Sequence, residues 1–84
     1  MTKVSQRGYD TNVAKKVLGV SPSSAVIRLG HFCVVNNISA AHVASRLGVS
    51  RTTVYSWFTG THTARPKAEA LAAKLLAELQ AQLQ

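Results

Sequence analysis

Between Ala40 and Gly60 the chain reads as a short helix, a turn centred on glycine and a second short helix. Ser39 carries the side-chain oxygen that caps a helix start, and Ser50 offers the same device to a helix from Arg51 to Thr59. Val43, Ala44 and Leu47 share one face of the first helix, at i, i+1 and i+4. Gly48 follows where a sharp reversal needs a positive φ, and Gly60 closes the second helix. A turn this tight needs a small residue at the helix crossing, which is Ala44. It also needs inward apolar side chains from the second helix, which are Val54 and Trp57, while Leu47 and Val49 close the same small core. Helices of about two turns do not persist alone in water. The segment therefore requires further helices packed around it.

The rest of the sequence supplies them. A helix capped by Asp10 or Thr11 runs to Leu18, with Val13, Val17 and Leu18 as its apolar face and Gly19 at its end. A second begins near Ser21-Pro22, a cap residue followed by proline, and covers about Ser23 to Asn36. Its Val26, Ile27, Phe32, Val34 and Val35 have mixed spacings. The Val34-Val35 pair also fits a strand, but the length of the segment favours a helix, which Asn36-Asn37 then stops. Thr61 to Arg65 is a polar loop, and Pro66 opens a last helix toward Gln82 with Leu71, Leu75, Leu76, Leu79 and Leu83 as its stripe. Met1 to Gly8 is polar, basic and aperiodic. Residues 1–9 thus read as a flexible arm that either follows DNA phosphates or the minor groove, or makes no contact of its own. The expected fold is all-α, a compact bundle of about five short helices formed by residues 10–84.

Charge is the strongest statement about partners. Ten Lys and Arg face three acids, Asp10, Glu69 and Glu78, for a net charge of +7. A balance this lopsided in one small domain points to a polyanion, and nucleic acid is the commonest. A membrane surface competes, but membrane-binding charges sit in one cluster or along one amphipathic helix, whereas these are scattered from Lys3 to Lys74. No apolar run approaches the ~20 residues of a membrane span, and no signal peptide is evident. Cys33 is the single cysteine, flanked by Phe32, Val34 and Val35, so it reads as a buried apolar residue of a protein in a reducing cytoplasm. His31, Cys33, His42 and His62 show no metal-ligand spacing, and no acid–base or nucleophile constellation appears. Neither metal, cofactor nor catalysis is expected.

The run VASRLGVSRTTVYSWFTG, Val43 to Gly60, resembles the lambda-repressor/Cro-like (Xre-type) helix-turn-helix family. Looser similarity extends from Val26 to about Leu79. The resemblance implies that helix 51–59 enters the DNA major groove and that Arg51, Thr52, Tyr55 and Ser56 read bases. The chemistry agrees: the Arg51 fork can take guanine O6 and N7 together, and Thr52 and Ser56 can bond base edges. Ser50 and Thr53 suit the backbone at the helix start, with Arg46, Arg28 and His42 as further phosphate contacts. Two departures from the family stand out. Ala40 occupies the place where a Gln is common, and no acid is evident to brace an arginine between helices, which leaves Arg28 and Arg46 free to face DNA. Trp57 takes the inward position, and Phe58 either packs on the last helix or joins a dimer surface. Leu76, Leu79 and Leu83 are the candidates for a two-fold contact, since family members bind palindromic operators as homodimers. The implied function is a transcriptional regulator, a repressor like the small regulators of phages and plasmids. The alternatives are an accessory factor in recombination or replication, and a protein-interaction module that binds a host enzyme or polymerase.

Overall fold

A computed structural model describes residues 11–83, all of whose regular structure is helical: α1 (Thr11–Gly19), α2 (Ala25–Val35), α3 (Ala40–Leu47), α4 (Arg51–Phe58) and α5 (Pro66–Gln82). The arm expected at residues 1–9 lies outside the described residues. Strand is absent among the described residues, and the Val34-Val35 pair ends α2 in helical form.

The core is one cluster drawn from all five helices: Val17, Val26, Leu29, Cys33, Val43, Val54, Trp57, Phe58, Leu75 and Leu79 are among its buried members. The central helix is α2, which packs against α1, α4 and most extensively α5, while α3 packs on α4 and α5. Phe58 is fully buried where α4 crosses α2, so it belongs to the core and is unavailable to a dimer surface. The crossing is close because of Gly30. A Cβ built there would stand 2.8 Å from Phe58 Cγ.

The start of α2 differs from the sequence expectation. Pro22 does not begin it; the Ser23 N–H donates to the Ser21 carbonyl at 2.7 Å, a γ-turn centred on Pro22. Ser24 is the cap instead, its hydroxyl oxygen accepting the Ile27 N–H. The neighbouring amides are met from α5. One Glu69 carboxylate oxygen accepts the Ala25 N–H at 2.8 Å and the other lies 3.5 Å from the Val26 nitrogen. A carboxylate is the favoured group at a helix N-terminus, where free N–H groups and the helix dipole both attract it. Glu69 thus ties the longest helix to the central one.

The inward stripe of α5 is Ala72, Leu75 and Leu79, at i, i+3 and i+7. Leu71, expected on that stripe, falls one residue off it and is exposed, forming one wall of an apolar cleft with Leu47, Val49 and Trp57. Leu18 is exposed for the same reason, one position beyond the fully buried Val17. Leu79 is buried, which removes it from the dimer candidates; Leu76 is half-buried, and Leu83 remains 57% exposed.

Candidate nucleic-acid interface

The candidate site is built on α3, α4 and the residues between them. Ser39 caps α3 by accepting the His42 N–H at 3.2 Å. Ala40, the first residue of α3, is buried. At the other end of α3, Gly48 adopts φ +71°, and the Val49 N–H returns to the Ala44 carbonyl at 3.0 Å. Most residues resist that left-handed backbone, so glycine lets the chain reverse within Gly48, Val49 and Ser50 before α4 begins. The closure of α4 repeats the pattern, with Gly60 at φ +77° and the Thr61 N–H on the Ser56 carbonyl.

Ser50 caps α4: its Oγ accepts the Thr53 N–H at 3.1 Å and lies 3.0 Å from the Thr53 hydroxyl. Thr53 is therefore engaged in holding the helix start. Val54, Trp57 and Phe58 point into the core. That orientation leaves Arg51 and Thr52 exposed on the first turn, with Tyr55 and Ser56 half-buried along the same side. The four residues expected to read bases thus share one continuous surface of α4.

The other cationic candidates are distributed differently. Arg46 is not free: its guanidinium pairs with Glu78 of α5, the acid that the sequence reading did not connect to it. Both side chains are roughly two-fifths exposed, so the pair contributes at most about 1 kcal/mol to stability, but it turns Arg46 toward α5. Arg28 is exposed in a cleft between α2 and α5 with Phe32, Val35, Leu76 and Gln80, away from the α4 surface. His42 is exposed in the first turn of α3.

Sequence reasoning missed what flanks α4. A cleft of about 290 Å³ separates α4 from α1, lined on one side by Thr52, Tyr55, Ser56 and Thr59 and on the other by Val13 and Lys16, with Thr61 at its end. No periodicity within α1 could reveal this, because the placement comes from α1 docking on α2. The side-chain acids among the described residues are Glu69 and Glu78, both on α5 and both engaged with other helices. Lys16 lines this cleft and Arg51 is exposed at the start of α4, with no acid among the described residues of either helix.

The described residues include no cluster of metal-ligating side chains and no helix long and apolar enough to cross a membrane. No protein-family model, curated protein or solved structure matches the chain. The described residues form a five-helix, all-α fold.

Proposed function

We propose that this protein is a sequence-specific regulator of transcription that binds double-stranded DNA, a Cro-like repressor that reads the major groove with α4. The observation that carries the reading is the construction of α4. It is fixed to α3 through the left-handed Gly48, capped by Ser50, anchored inward by Val54, Trp57 and Phe58, and bears Arg51, Thr52, Tyr55 and Ser56 along one outward side of a helix that holds no acid. Two helices joined in this manner place the N-terminal residues of the second against base edges.

In this reading Arg51 takes a guanine through paired hydrogen bonds, and Thr52 and Ser56 contact neighbouring edges or phosphates. Ser50 and His42 approach the sugar–phosphate chain at the two helix starts. The protein acts as a homodimer on a palindromic operator, in the cytoplasm and on the nucleoid, without a small-molecule effector. Leu76 and Leu83 of α5 are the residues available for the two-fold contact.

Selection of bound sequences from a random duplex library tests this directly. The expected result is a palindromic consensus whose half-sites lie about one helical turn, roughly 34 Å, apart. Failure of any sequence to enrich over bulk DNA would overturn it, and binding with a shallow salt dependence would favour a protein-interaction module instead.

A further inference from the structure

Val13 and Lys16 of α1, one helical turn apart, face Thr52, Ser56 and Thr59 of α4 across the cleft. We propose that this cleft seats the sugar–phosphate backbone at the rim of the major groove, with the Lys16 ammonium on a phosphate. The proposal rests on duplex DNA being the partner of α4.

Size makes the first argument. The major groove is about 12 Å wide and a helix with its side chains about 10–12 Å across, so the groove admits one helix. If α4 enters, a helix beside it cannot follow and must meet the rim, where the phosphates are. Chemistry makes the second. The α4 wall presents hydroxyl-bearing side chains, the α1 wall presents an exposed ammonium, and no carboxylate lines the cleft among the described residues. Both acids of the described residues are occupied elsewhere, Glu69 on the α2 amides and Glu78 on Arg46. A polyanion meets a complementary charge here.

Rigidity makes the third. Val17, the residue after Lys16, is fully buried, so the helix cannot rotate without opening the core. Beyond it, the Val20 carbonyl accepts a hydrogen bond from His31 Nε2 of α2 at 2.9 Å. Val20 also packs against the end of α4, its Cγ1 standing 3.3 Å from where a Cβ on Gly60 would be. The backbone of α1 is thus set in place before binding, which lowers the entropy lost on contact.

The test compares Lys16→Gln and Lys16→Arg with the unaltered protein on two duplexes, one carrying the selected sequence and one of equal length with that sequence scrambled, across a range of salt. Lys16→Gln should weaken both complexes by the same factor, roughly 3- to 10-fold, and reduce the slope of log affinity against log salt by about 1. Lys16→Arg should restore affinity to within about twofold, because a phosphate accepts either cation. Circular dichroism should be unaltered throughout, since Lys16 is exposed. Unchanged affinity and slope for Lys16→Gln, with the unaltered protein still preferring the selected duplex, would overturn this proposal and leave the α4 reading intact. Tighter binding by Lys16→Gln would overturn it also, showing that α1 crowds the groove. Absence of duplex binding by the unaltered protein would overturn both.

Discussion

At the scale of single residues, the core depends on side chains that are missing as much as on those present. Gly30 lies within α2, where alanine is intrinsically better by about 1 kcal/mol. Phe58 reverses that preference, because its ring and Cβ occupy the space a Cβ at residue 30 would take. Gly30→Ala should therefore destabilise the protein by about 1–3 kcal/mol despite its helix propensity, measured by urea unfolding. An increase in stability would show that α2 and α4 can separate at little cost. Residue-level reading of the sequence succeeded where one position carries several constraints at once. Ala44, Gly48, Val54 and Trp57 all take their expected places. It failed where the deciding partner is remote in sequence: nothing near Arg46 signals Glu78, and nothing near Gly30 signals Phe58.

Among elements, α3 and α5 have the boundaries the sequence suggests, and α4 ends one residue earlier, because Ser39, Ser50 and Pro66 mark their starts and Gly48 and Gly60 their reversals. The sequence places the start of α2 near Ser21-Pro22, and the structure moves its cap to Ser24. Pro22 belongs to a γ-turn, and Ser24 is the residue whose oxygen reaches the helix amides. The cap from Glu69 was illegible, since it spans 44 residues. Glu69→Ala removes the acceptor from the Ala25 N–H and should cost about 1–2 kcal/mol in thermal or urea unfolding. Arg46→Gln, which breaks a half-exposed surface pair, should cost less than about 1 kcal/mol in the same measurement. Equal losses for the two variants would contradict the distinction between a helix cap and a surface ion pair.

For the whole molecule, the fold decides which charges are engaged. Both acids of the described residues lie on α5 and reach α2 and α3, while Lys15 and Lys16 of α1, Lys67 and Lys74 of α5 and Arg51 of α4 are exposed. The composition makes the net charge plain but not these pairings, which follow from how the helices pack. The site was legible as far as α4 itself and no further, because α1 reaches it through tertiary docking on α2. Assembly belongs to this scale as well. Leu83→Glu places a charge at the exposed end of α5 and should shift sedimentation toward monomer with helicity preserved; an unaltered mass would exclude that end from the two-fold contact. The central claim is that α4 reads sequence, and Arg51 is its most exposed test. Affinities of the unaltered protein and of Arg51→Ala should be measured on the selected duplex and on its scrambled counterpart at one salt concentration. The unaltered protein should prefer the selected duplex by ~10³ or more, and Arg51→Ala should lose about 1–3 kcal/mol of that preference while its helicity is retained. Full preference in the Arg51→Ala protein would contradict the account.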